Sequence, residues 1–221
     1  MLFIRKFAAL ICAVLALAGT AAHAQTAATP MAAPPPENVW HLDLSTGGRV
    51  SIQLRPDVAP NHVERIRTLT RQGFYNGLVF HRVIEGFMAQ GGDPTATGQG
   101  GSPLPDLAPE FSPLPHLRGV VSMARAQAPN SANSQFFIVL QPTFTLDGRY
   151  TILGRVFAGM NFVDAIERGE PPANPSRIVR ASIGADNVPP LSADELRAAA
   201  AAPPPGATAT PAPTSVITPP R

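Results

Sequence analysis

Between residues 39 and 184 the apolar positions mostly recur at every second residue, in short runs separated by Gly, Pro, Asn and Asp. That period belongs to half-buried β-strands. Residues 39–45 and 49–55 alternate around Thr46-Gly47-Gly48, which predicts a hairpin. Further strands are predicted over 78–84, 87–90, 120–125, 135–140, 152–157 and 177–183. Helical spacing shows in two places. Val63, Ile66, Leu69 and Thr70 form one face after Pro60, with Gly73 as the stop, and Phe162, Val163 and Ile166 mark a shorter helix. Residues 91–115 are rich in Gly, Pro and Asp with no regular period; a loop that long in a compact domain is usually functional. The fold class read from this is mainly β: a closed eight-stranded antiparallel barrel capped by two α-helices.

The flanks read differently. Arg5 and Lys6 precede an apolar run over 7–18 and a small-residue stretch ending Ala22-His23-Ala24. This is the pattern of a secretory signal peptide over 1–24, cleaved after Ala24, and the run is too short to span a bilayer. Residues 25–38 form an Ala/Pro-rich linker, and 186–221 an Ala/Pro-rich tail expected to be disordered. Within that tail, 192–201 has the marks of a short helix, with Ser192 as N-cap and Glu195 completing a capping box. The domain between the flanks spans 39–185.

Composition then narrows the chemistry. The one cysteine, Cys12, lies in the signal, so the mature chain has no disulfide, thiolate zinc site or thiol nucleophile. The net charge of +2 belongs to the whole chain; without Arg5 and Lys6, 15 arginines face 15 acidic residues. Near-neutrality gives no footing for nucleic acid. His41, His62, His81 and His116 lack ligand spacing, so no metal is expected. The GQGG run at 98–101 follows no strand-then-helix context and reads as a turn, not a phosphate loop.

Four segments concentrate unusual residues: FHRVIEGFMAQGGD at 80–93, SMARAQ at 122–127, NSQFFIVL at 133–140 and TLDGRYTILGRV at 145–156. In the first, period 2 puts Arg82 on a strand face with Phe80 and Ile84, and His81 on the other. A guanidinium there either snorkels to water at the strand end or serves a ligand, and the pattern alone leaves both open. In the third, Gln135 and Phe137 share one face and Phe136, Ile138 and Leu140 the other. The second set suits a barrel interior; the first suits a wet groove with an apolar floor.

Taken together and in order, these segments resemble the cyclophilin-type peptidyl-prolyl cis-trans isomerases, over roughly residues 39–184. The resemblance implies catalysis of X–Pro bond isomerisation with no cofactor. It places Arg82 at the catalytic arginine and Gln90 at the glutamine that binds the substrate backbone. Phe87, Met88 and Phe137 stand at the proline-ring pocket, with Ala124 and Gln135 on the groove. Thr145, Leu146 and Tyr150 fall at its rim, where the family commonly has Trp or Phe in place of Thr145 and His in place of Tyr150. Arg125 replaces a usual Asn at a position that works largely through its main chain. The implied partners are proline-containing unfolded or extended polypeptides, met in the periplasm by a monomer with no membrane anchor after signal cleavage. A non-catalytic chaperone or peptide-binding adaptor would use the same groove.

Overall fold

The alternating runs form eight strands in one antiparallel sheet of order β3-β4-β6-β5-β7-β2-β1-β8. The strands are β1 (Val39–Leu44), β2 (Gly48–Leu54), β3 (Arg82–Ile84), β4 (Met88–Gly91), β5 (Val120–Met123), β6 (Phe136–Val139), β7 (Ile152–Ala158) and β8 (Ile178–Ile183). This is a computed structural model, and it describes residues 33–201. The expected signal over 1–24, most of the linker and the tail beyond 201 lie outside the described residues.

The sheet curls around a core that includes Trp40, Leu42, Ile52, Tyr75, Phe80, Phe136 and Ile183. Trp40, Tyr75 and Phe136 meet edge to face, with ring centroids 4.9–5.9 Å apart. Such pairs add about 0.5–1.5 kcal/mol each beyond the area they bury. Helix α1 (Pro60–Arg71) turns Val63, Ile66 and Leu69 into this core, as its period requires. Its N-terminal amides are satisfied from outside the helix. The Glu110 carboxylate accepts bonds from the main-chain N–H groups of Asn61 and His62 and from His62 Nδ1 (2.6 Å). Helix α2 (Met160–Asp164) contributes Val163. A third helix, α3 (Ala193–Ala201), lies in the segment read as tail, and its Ser192–Glu195 capping box is present in both directions.

The closed barrel is not formed. β3 and β8 are the two edges of the sheet and have no ladder between them. Residues 77–80, leading into β3, do meet the start of β8: Gly77 N–H donates to Ile178 O, Ile178 N–H to Leu78 O and Phe80 N–H to Ser176 O. Past that point the opposing chain is the loop before β8, and it carries Pro171, Pro172 and Pro175. Proline has no N–H to donate, so a ladder cannot continue along this stretch. Gly169 alone resumes the pairing, exchanging both main-chain bonds with Val83 (2.8 and 2.9 Å).

The parity read around Arg82 also changes. β3 starts at Arg82, and residues 80–81 ahead of it are not strand. Phe80 therefore joins Val83 in the main core, while Ile84 packs against a second apolar cluster on the other face of the sheet. That second cluster contains Met88, Val120, Ala124, Phe137, Val139 and Ile152. In β6 the alternation holds as read: Phe136 and Ile138 point to the main core, Phe137 and Val139 to the second cluster.

Candidate active site

The second cluster floors a cleft of about 130 Å³ lined by Arg82, Phe87, Met88, Gln90, Ala124, Arg125, Phe137, Leu146 and Tyr150. These residues come from β3, β4, β6, the β3–β4 turn and the loops after β5 and before β7, and the sheet register brings the strand residues together. Arg82 pairs with Gln90, Ile84 with Met88 and Gln90 with Phe137 across neighbouring strands. Enclosed sites for drug-sized ligands run to about 300–1,000 Å³. This smaller cleft suits one side chain of a longer polypeptide lying across the surface.

Arg82 is a charged group in the wall of this cleft. Its side chain is 42% exposed, and its Nε donates to Glu170 Oε2 at 2.7 Å. Neither terminal nitrogen has a hydrogen-bond partner among the described residues. The arginine is thus tethered at one edge, with its other donors unspent, in the wall of the cleft. On the adjacent strand Gln90 Nε2 donates to Gln135 Oε1 (2.9 Å), and Gln135 Nε2 donates to Gly98 O and Gly100 O. The glycine run is needed here: Gly92 has φ +85°, and a Cβ on it would stand 2.5 Å from Ser134 O.

The turn over 93–100 that Gln135 holds is built on Asp93. Its carboxylate accepts bonds from Thr95 N–H and Oγ and from the N–H groups of Thr97, Gly98 and Gly100. Burial alone would push the Asp93 carboxyl up, but these bonds outweigh it and hold it below the usual carboxylate range.

The apolar wall has its own support. Phe137 meets Tyr150 edge to face at 5.6 Å and lies nearly parallel to the His116 ring at 6.3 Å. His116 Nδ1 is hydrogen-bonded to Asp147 Oδ1 (2.8 Å), and its Nε2 to Ser122 Oγ (3.0 Å). A serine, a histidine and an aspartate in a chain resemble a hydrolytic triad. Ser122 and His116 are fully buried, however, so no substrate carbonyl reaches the hydroxyl. The chain braces Phe137 from behind. At the opposite lip the Arg125 guanidinium lies 4.8 Å over the Tyr150 ring and donates to Arg149 O, Ala126 O and Gln127 O.

Nine of the residues expected at the groove line this cleft. Two do not. Gln135, partly exposed, spends both ends of its amide on Gln90 and the loop carbonyls and braces Gln90 from beside the lining. Thr145 is exposed on a 3₁₀ turn (Phe144–Leu146) outside the lining, and Phe144 beside it points to solvent at 63% exposure. His81 is buried away from the cleft, and burial lowers its pKa. Glu170 and His116 have no mark in the sequence. Glu170 sits in a proline-rich loop 88 residues from Arg82, and His116 has no partner at motif spacing.

Comparisons with known proteins point to one family. The sequence model of the cyclophilin-type peptidyl-prolyl cis-trans isomerase/CLD family matches residues 41–183. A probable peptidyl-prolyl cis-trans isomerase of Brucella suis is 48% identical over 167 residues, covering 68% of this chain and 85% of the relative. A Schizosaccharomyces pombe peptidyl-prolyl cis-trans isomerase is 39% identical over 153 residues, covering 64% and 97%. Among solved structures, a cyclophilin from Hirschia baltica is similar with a TM-score of 0.65 at 32% identity, over 71% of this chain and 77% of that one. A cyclophilin-type isomerase of Cryptosporidium parvum, crystallised in the presence of the dipeptide Ala-Pro, gives 0.62 at 30% identity, over 66% and 98%.

Proposed function

Because the chain belongs to the cyclophilin-type peptidyl-prolyl cis-trans isomerases, we propose that the cleft beside Arg82 is where it turns X–Pro bonds, and that its substrates are proline-containing segments of exported polypeptides. The enzyme class follows from the family. The site roles and the place of work are our reading.

The barrier to rotating a peptide bond is about 18–20 kcal/mol, because the C–N bond is partly double. X–Pro bonds therefore isomerise in roughly tens to hundreds of seconds and can limit folding. Twisting the bond breaks conjugation and localises a lone pair on the prolyl nitrogen. A donor aimed at that nitrogen acts only in the twisted state, so it lowers the barrier without tightening the ground state. The Arg82 terminal nitrogens are such donors: always charged, without a hydrogen-bond partner among the described residues, and carried by a residue that lines the cleft. Phe87, Met88 and Phe137 hold the ring while the preceding carbonyl swings. Gln90, held by Gln135, orients the flanking main chain. No nucleophile or proton transfer is needed.

The observation that carries this reading is the convergence of an open-ended arginine and an apolar floor on one cleft. The basic, apolar and small-residue pattern of residues 1–24 supports export. No helix among the described residues is long and apolar enough to cross a membrane. Exchange NMR on an Ala-Pro peptide tests the activity, and fractionation of cells producing the full chain tests its place. Turnover at the uncatalysed rate would contradict the first, and cytoplasmic retention the second.

A further inference from the structure

Two arginines line the cleft, and they differ in what surrounds their charge. Arg82 is ion-paired with the Glu170 carboxylate. Arg125 has no carboxylate partner among the described residues. Its Nε and Nη2 both donate to Arg149 O (3.3 and 3.0 Å), and Nη1 donates to Ala126 O (2.8 Å) and Gln127 O (3.0 Å). Carbonyl oxygens orient a guanidinium without cancelling its charge. The Tyr150 face below it, 4.8 Å from Cζ, fixes the plane further. The cation is therefore held in place before any ligand arrives, and little side-chain entropy is lost on contact. Arg149, on the same lip, is exposed, and its side chain has no bond among the described residues. The acidic group nearest in sequence, Asp147, is taken up by the His116 main-chain N–H and Nδ1.

The cleft is thus electrostatically lopsided: compensated at the Arg82 end and positive at the Arg125 end. We propose that the Arg125–Tyr150 edge is a subsite for an acidic side chain, so that the enzyme prefers X–Pro segments carrying Asp or Glu close to the proline on that flank. On the opposite flank Glu170 denies the same residue any gain. This rests on the isomerase reading and names a substrate class within it.

The test uses short peptides around one Ala-Pro pair, with Glu or its neutral isostere Gln placed in turn at each of the two positions on either side. Rates are read by exchange NMR, which avoids a coupling protease with its own preference. For the wild-type enzyme, kcat/KM with Glu exceeds that with Gln by about threefold or more at one flanking position, and by nothing on the other flank. The ratio decays towards one between about 20 mM and 500 mM salt, as screening requires. It collapses in Arg125→Gln and persists in Arg149→Gln. A wild-type ratio near one at every position overturns the proposal, as does a preference that survives Arg125→Gln. The wild-type salt series decides the matter even if Arg125→Gln fails to fold. Turnover of the Gln peptides reports the isomerase reading separately, whatever the ratio.

Discussion

Arg82 is held by a residue that has no neighbour relation to it in sequence. Gly169 exchanges both main-chain bonds with Val83, and that pairing sets Glu170 beside Arg82. Both partners are close to half exposed, so the ion pair adds little stability. Its effect is orientation: with Nε tied, the guanidinium plane is fixed and the terminal nitrogens point one way. Misplacing a catalytic group by an ångström is costly to rate and not to binding. Glu170→Ala is expected to lower kcat by about three- to tenfold with KM within about twofold, and Glu170→Gln, which keeps an acceptor, to recover most of the loss. Steady-state kinetics on one Ala-Pro peptide check this. An unchanged kcat, or a loss confined to KM, would show that Glu170 does not position the arginine.

At the scale of elements, the strand pairings carry the site and the edges carry the surprises. The β6 alternation was legible because the strand is central and buried on both faces, so Phe136 and Phe137 announce two different environments. The face of Arg82 was misread from Phe80, because a strand that begins at Arg82 cannot pass its parity back to residues outside it. The open edge between β3 and β8 was legible in principle, since Pro171, Pro172 and Pro175 all fall in the opposing loop. Its consequence, a carboxylate delivered to Arg82, was not, because loop conformation is not periodic. The other side of the sheet depends on a buried charge. Asp43 is 1% exposed and accepts bonds from Arg49 (2.7 and 3.0 Å) and Arg180 (3.0 and 3.3 Å), joining β1, β2 and β8. Asp43→Ala strands two arginines that still reach some water, and is expected to cost about 2–3 kcal/mol. Urea unfolding should show a lower midpoint at unchanged slope. A midpoint equal to wild type would mean that the network is dispensable.

For the whole molecule, the titrating groups push in one direction. Burial lowers the pKa of His41, His62 and His81, so the folded state favours their neutral rings. For His62 burial prevails over the Glu110 carboxylate, which acts the other way. The unfolded chain takes up protons at these positions as pH falls through 6.5, while the folded chain lags. Stability is therefore complete above that pH and declines below it. Asp93 and Glu110 extend the decline at lower pH, because hydrogen bonds hold both carboxyls below their ordinary values despite burial. Calorimetry should find Tm falling steadily from about pH 7.5 to pH 5, and a flat profile would contradict the assignment of neutral buried histidines. The proposed mechanism turns on Arg82 as the group that stabilises the twisted bond. The most direct measurement is kcat/KM for an Ala-Pro peptide by exchange NMR, wild type beside Arg82→Ala, with equal folding of the two confirmed. We predict a loss of about a hundredfold, the scale seen when a single preorganised donor is removed. A variant that turns over the peptide as fast as wild type would contradict the mechanism.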